Sequence, residues 1–321
     1  MTDVMTSRAR WKAALALEPV DRLPFWPKLD GAYAKAQAAP FNTQSLDELH
    51  DWIGSDPHVG IAGCVRIEHA NAEEAWREEG NNRWHSWRTP YGELEQYLQF
   101  DGPSHSWHPM TFPVRDRAGI LAMTAFYEDA KPVLDERLLE TTTAQVAAVG
   151  ERGYTFAGIG ESPLMYWVEW LAGVEQAHLL LADYPDEVEA LFEAIQSFLV
   201  GVARLMIEFS PVEALYLVEN TSTTLISPTQ YHKYCLPQVG QIAQMASDAG
   251  RPMILHMCGH LKALLPDLST VPVRGFEAFT SPTLGNTSLL DGRLGCPDKA
   301  LIGGTNAMLW LKPARQIIAK L

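Results

Sequence analysis

The sequence predicts an α/β fold, a parallel sheet either open or closed into a barrel, in one domain over residues 1–321. Two observations carry this. After the first hundred residues, short apolar runs alternate with long helical patterns, as strands joined by crossover helices do. The composition, 47% hydrophobic and 20% charged, is that of a globular chain long enough for one large core.

"RLPFW" (22–26) and "HVGIAG" (58–63) read as the first two strands. Residues 65–112 then break the alternation, mixing polar and aromatic residues around turn signals at "GNN" and "TPYG". They read as an inserted β-hairpin excursion. Its Trp76, Trp84, Trp87 and Tyr91 either cover the mouth of the sheet or pack the hairpin onto its side. "YTFAGIG" (154–160) reads as the third strand. "PDEVEALFEAIQSFLVGVARLMIEF" (185–209) reads as a long helix started by Pro185 and acidic first-turn residues. Strand "EALYLVEN" (213–220) follows, then a helix over 227–250 with a kink or break at Pro237. Strand "PMILHM" (252–257), helix "LKALLPDL" (261–268), strand "RGFEAF" (274–279), strand "ALIGGTN" (300–306) and a final helix in "KPARQIIAKL" complete the pattern. That makes seven strands. A closed eight-stranded barrel needs one more, and the expectation is that this chain lacks the last strand.

Formal charge is 25 − 39 = −14, with no Lys/Arg-rich cluster, which argues against a nucleic-acid or anionic-membrane partner. The N-terminus has no apolar core of signal-peptide length, and no run is read as approaching a membrane span. Cys64, Cys235, Cys258 and Cys296 are too sparse for a disulfide scaffold, so the expectation is a cytoplasmic protein with reduced thiols.

In a parallel α/β barrel, function collects at the C-terminal strand ends. The third strand ends at Glu161, the fourth at Glu219 and Asn220, the fifth at His256, Cys258 and His260, the sixth at Glu277, and the seventh at Thr305 and Asn306. On an extended strand end, residues i and i+2 point the same way, roughly 7 Å apart at Cα. His256 and Cys258 can therefore close on one ion, and Zn²⁺ favours such an N/S mixture. Gly259 lets the chain turn after them, so that His260, beyond the turn, faces either the substrate or a partner of the ligands. Spacing alone leaves a second reading open, a buried histidine and a cysteine acting as a small hydrophobe.

These residues resemble a known family. "LHMCGH" resembles the H-x-C-G element of the uroporphyrinogen decarboxylase superfamily, and "TSRARWKAALALEPVDRLPFW" its N-terminal element. "LISPTQYHKYCLPQ" is similar to its segment after the fourth strand, and "LIGGTNA" to its Gly-Asn turn. The resemblance implies a (β/α)8 TIM barrel. Within the superfamily, uroporphyrinogen decarboxylase proper has an Arg-rich loop after the first strand, whereas "PFWPKLDGAYAKAQAAP" contains no arginine to grip a polycarboxylate. The H-x-C branch is that of zinc-dependent, corrinoid-linked methyltransferases, such as methylcobamide:coenzyme M methyltransferase.

What the resemblance implies is a methyl group moved between a small O-, N- or S-methyl compound or thiol and a corrinoid (cobalamin) protein. The resemblance makes His256 and Cys258 Zn²⁺ ligands. Position at the strand ends, and in the excursion for Trp84, assigns Glu219, Glu277 and His260 as catalytic residues and Glu161, Asn220, Asn306 and Trp84 as substrate-binding residues. The branch takes its third ligand from a cysteine after the eighth strand, beyond residue 321. Cys296 belongs at the opposite face, so Glu219, Glu277 or Glu161 is the alternative. The competing readings are a metal-free decarboxylase on the same fold and a non-catalytic barrel binding a small ligand or a corrinoid protein. A second copy of the chain is a further conceivable partner.

Overall fold

The computed structural model describes residues 4–29, 32–35 and 37–319. Asp30, Gly31 and Ala36 of the arginine-free loop, and Lys320 and Leu321 of the final helical pattern, lie outside the described residues. In chain order the strands are β1 (His58–Gly60), β2 (Val65–Glu68), β3 (Glu73–Glu79), β4 (Asn82–Thr89), β5 (Gly92–Asp101), β6 (Ser106–Thr111) and β7 (Lys131–Leu134). Then follow β8 (Tyr154–Gly160), β9 (Ala214–Val218), β10 (Met253–His256), β11 (Gly275–Phe279) and β12 (Ala300–Gly303).

Six of these form one parallel sheet in the order β1-β8-β9-β10-β11-β12. Each of its strands lies beside the next one in the chain sense, so the sheet is wound in one direction, as a barrel wall is. Its central strands are buried, which explains why they read as continuous apolar runs rather than alternating ones.

Three expectations need correction. "RLPFW" forms no strand: Pro24 and Pro27 lack N–H donors, and Leu23 and Phe25 face solvent. The excursion is not a single hairpin but a four-stranded antiparallel sheet, β3-β4-β5-β6, because a third turn falls at residues 102–105, past the two that the sequence marks. Trp87 and Leu98 of that sheet are buried, and β4 and β5 pack on the helix Arg117–Asp129, while Trp76 and Tyr91 are exposed. Lastly, the helix Pro185–Phe209 is, by length and composition, long and apolar enough to cross a membrane, contrary to the expectation that no run is. Here its Val188, Leu191, Ile195, Ala203 and Met206 are buried, and it packs against β7, β8 and the helix Arg117–Asp129.

The helix expected over 227–250 breaks at Cys235, giving Pro228–Tyr234 and Leu236–Asp248. Pro237 sits in the first turn of the second piece, where its missing N–H has no helical partner to lose. The segment expected as a helix over 261–268 is a 3₁₀ turn followed by one α turn.

The end of the sheet opposite the C-terminal strand ends is closed by the helix Ser7–Leu15. Its Arg10, 1% exposed, pairs with Asp21 at 2.7 Å and with Asp56, which is 0% exposed. Asp56 also pairs with Arg22 and accepts hydrogen bonds from Ser7 Oγ at 2.8 Å and the Phe25 N–H at 2.9 Å. A buried charge is tolerated only when its lone pairs are satisfied in this way. Inside, His58 sits among Trp11, Trp26, Tyr154, Phe156 and Tyr216, and burial lowers its pKa to about 3, so it packs as a neutral ring. Substituting Asp56→Asn strips both arginines of their buried partner. Urea unfolding is expected to show a loss of about 3–5 kcal/mol; a loss within about 0.5 kcal/mol, the range of a surface change, would contradict this account.

Candidate active site

Parallel register sets the rim. His256 lies directly opposite Val218 on β9 and Glu277 on β11. The next residues of β9, Glu219 and Asn220, both donate their N–H groups to the His256 carbonyl, at 2.9 and 3.1 Å. The sheet thus draws the fourth, fifth and sixth strand ends of the sequence reading together.

His256 and Cys258 share that rim. His256 Nδ1 and Glu277 Oε2 are hydrogen-bonded, and Lys28 Nζ stands 3.5 Å from the other Glu277 oxygen. Burial pushes the His256 pKa down, but contact with Cys258 and with the Glu277 carboxylate more than reverses this and raises it to about 9. Burial pushes Glu277 up, yet the His256 hydrogen bond and charge hold it below the usual carboxylate range. Cys258 is exposed, with its sulfur 3.6 Å from Asn220 Oδ1. Gly259 is required for a reason other than the turn: a Cβ there would meet Ser222 Cβ at 2.3 Å and the Thr221 carbonyl at 2.5 Å.

The donor types fit zinc. A carboxylate on one ring nitrogen fixes the imidazole and leaves the other nitrogen for an ion, the orientation that metal-bound histidines commonly receive. The adjacent exposed sulfur supplies the second donor. Among the described residues, no group of three His, Cys, Asp or Glu side chains is arranged as a metal site.

The other expected site residues separate. Glu219 is fully buried, and its two oxygens accept the Ser162 N–H and the Ser162 hydroxyl, each at 2.7 Å. Burial raises its pKa to about 7, against the pull of those two bonds. It is part of the wall. His260 acts through its backbone, donating to Ser222 Oγ at 3.1 Å and accepting from Thr223. Asn306 donates to the Pro282 carbonyl at 2.6 Å and caps the turn at Leu309, so it pins the loop after β11. Trp84 lies in the antiparallel sheet, stacked on Tyr97 with the Arg77 guanidinium 3.7 Å from its ring centroid. Cys296 is buried ahead of β12, with its sulfur 3.8 Å from the Leu265 carbonyl oxygen.

Glu161 and Asn220 instead border a cavity of about 490 Å³ beside the rim. Its walls come from the ends of β8 and β9, from the helices Arg117–Asp129 and Pro185–Phe209, and from Glu74 of the antiparallel sheet. Glu161 is 8% exposed, and its Oε1 has no hydrogen-bond partner. Burial first, then the neighbouring carboxyls of Glu169 and Glu219, raise its pKa to about 10. Glu169 is raised too, chiefly by burial, and accepts a hydrogen bond from Asn220 Nδ2 at 3.0 Å. One chain of contacts therefore runs from the carboxyls through Asn220 to Cys258.

Two of these residues are absent from the sequence reading. Glu169 lies in a single π-helical turn, Trp167–Leu171, a local irregularity that marks functional sites but has no periodic signature. Lys28 reaches Glu277 from 249 positions away, out of an extended segment.

A model of the uroporphyrinogen decarboxylase (URO-D) family matches residues 127–320. The chain belongs to the uroporphyrinogen decarboxylase family. That match spans β8 to β12 and every rim residue described above except Lys28. A methylated-thiol--coenzyme M methyltransferase of Methanosarcina mazei is 28% identical over 135 residues, which is 40% of this chain and 36% of that protein. The chain therefore matches about a third of the length of this curated relative. A solved methyltransferase structure from Methanosarcina mazei superposes with a TM-score of 0.59 at 16% identity, covering 98% of this chain and 88% of that one. This second likeness concerns the fold.

The His256–Glu277 pair yields a direct test. With Glu277→Gln, the partner that favours the charged imidazole is gone. In the metal-free protein the His256 midpoint, followed by NMR, is expected to fall from about 9 toward or below the ordinary imidazole value near 6.5. An unmoved midpoint would show that the carboxylate is not what holds the proton.

Proposed function

We propose that this chain transfers a methyl group between a small substrate held in the cavity beside the rim and a corrinoid protein docking over it. His256 and Cys258 are the residues that would hold Zn²⁺. The observation that carries this reading is their convergence at one rim, with Glu277 fixing the histidine ring. Likeness to methyltransferases over part of the chain supports it.

When bound, zinc would supply a Lewis acid able to polarise a heteroatom or lower the pKa of a thiol from about 8.5. The chain's own residues do the rest. Glu277 orients the imidazole, and His256, helped by Lys28 beside it, keeps that carboxylate ionised. With its pKa raised to about 9, His256 must give up a proton before it can bind zinc. Asn220 joins the cavity to the sulfur, so a substrate seated against Glu161 presents its reactive end toward Cys258. Ser162 and Glu219 hold the β8 and β9 ends together, which keeps Glu161 and Asn220 in place.

The decarboxylase reading is weaker on electrostatic grounds. A polycarboxylate needs arginine or lysine contacts, and none of the residues bordering the cavity is Arg or Lys.

Cys258 is exposed, so Cys258→Ala is expected to leave stability within about 0.5 kcal/mol of the parent. Elemental analysis of the parent purified with zinc should give about one zinc per chain, as a single catalytic site requires. The variant should hold none and should no longer methylate or demethylate cobalamin. Retained zinc together with retained turnover would overturn the assignment.

A further inference from the structure

We infer that the cavity is built for a methylated onium cation, an ammonium or sulfonium whose methyl group is the one transferred. This rests on the methyl-transfer reading for its chemistry, but the binding argument is independent of it. Aromatic rings make up much of the lining: Phe126, Tyr127, Tyr166, Trp170 and Phe198 all border the space. Ring faces attract a desolvated cation, and quaternary ammonium groups are the ligands most often held that way.

The ionisable groups bordering the cavity are unbalanced in the same direction. Apart from two tyrosines they are Glu161, Glu74 and His69, with no Arg or Lys. Glu74 is bound to His85 at 3.1 Å, which keeps it ionised below its usual range. His69 stacks on Phe126 and stands 3.6 Å from Asp129. Behind Glu161 lies Glu169, which accepts a hydrogen bond from Asn220 and lies within reach of the His256 charge. The free oxygen of Glu161, more than nine-tenths buried, has no partner in the protein. The Glu161 carboxyl touches Glu169 and Trp170, but its unpaired buried oxygen and the crowding with two other carboxyls cost free energy. A bound positive charge would offset this by favouring the ionised form. A neutral methoxy or thioether compound would leave that oxygen unpaired.

The chemistry agrees. When a corrinoid Co(I) centre takes the methyl group, its electron pair forms the Co–C bond and cobalt becomes Co(III). The C–N or C–S bond breaks with its pair left on the heteroatom, giving a neutral amine or sulfide. No proton is needed.

Choline and 3,3-dimethyl-1-butanol have the same shape and differ in charge, and isothermal titration of the full chain with each tests the inference. Choline should bind at least about tenfold more tightly, trimethylsulfonium should compete with it, and Glu161→Gln should remove most of that preference while keeping the cavity's shape. Trp170→Leu should weaken choline by roughly three- to tenfold. Equal binding of the two probes, tighter binding of the neutral one, or no binding of either would overturn the proposal. Because Glu161→Gln relieves crowding among carboxyls, its thermal midpoint should not fall, and tetramethylammonium should raise the parent's midpoint more than the variant's. Onium binding without methyl transfer to cobalamin would refute the proposed function and leave this site standing. Methyl transfer from neutral methoxy compounds with no onium binding would do the reverse.

Discussion

Parallel register along β9, β10 and β11 is the constraint on which the site depends. Register in a buried sheet is strongly specified, because a slip of one residue would turn every side chain to the other face. With Leu215, Tyr216 and Leu217 level with Met253, Ile254 and Leu255, the strands end together at Val218, His256 and Glu277. The His256–Glu277 contact follows from that alignment, and so does the junction of Asn220 with Cys258. Beyond Glu277 the ladder shifts at a bulge, with Ala278 at φ +58°, a left-handed conformation that non-glycine residues seldom adopt.

Below and beside that rim, polar groups fall into two kinds. Some are satisfied and structural: Asp56 with its two arginines, and Glu219 with Ser162. Others are buried and unsatisfied, and these face the cavity or lie just behind it: one oxygen each of Glu161 and Glu169. Folding tolerates few unsatisfied buried groups. Among the described residues others occur elsewhere, on His58, Gln196 and Ser210 for instance, but the only carboxyl oxygens among them are these two, at and behind the cavity. Perturbed carboxyls in a cleft are the usual mark of such places.

The chain's apolar runs made five of the six strands of the parallel sheet legible almost to the residue, and β1 in part. "RLPFW" misled because apolar content outweighed Pro24 within it and Pro27 just after it, whose missing donors keep it out of the ladder. In the excursion, Gly and Asn flagged two turns, whereas the third, around Gly102 and His105, carried a weaker signal. At the rim, H-x-C was legible as a pair because period two is a local property of extended chain. Which carboxylate would serve it was not, since Glu161, Glu219 and Glu277 look alike in sequence and differ only in what surrounds them.

By itself, then, the sequence determined the fold class, the strand ends that meet at the rim, and the pairing of an imidazole with a thiol two positions on. These are readable because periodicity and turn chemistry act over a few residues. Tertiary structure alone decided that Glu219 is sealed behind Ser162, that Glu277 rather than Glu219 holds the imidazole, and that Glu169 and Lys28 belong to the site. It also placed the cavity walls, which come from β2, β8, β9, the turn after β8 with Tyr166 and Trp170, two longer helices and the antiparallel sheet. Contacts across 21 to 249 positions depend on register, helix packing and burial, which no local pattern records.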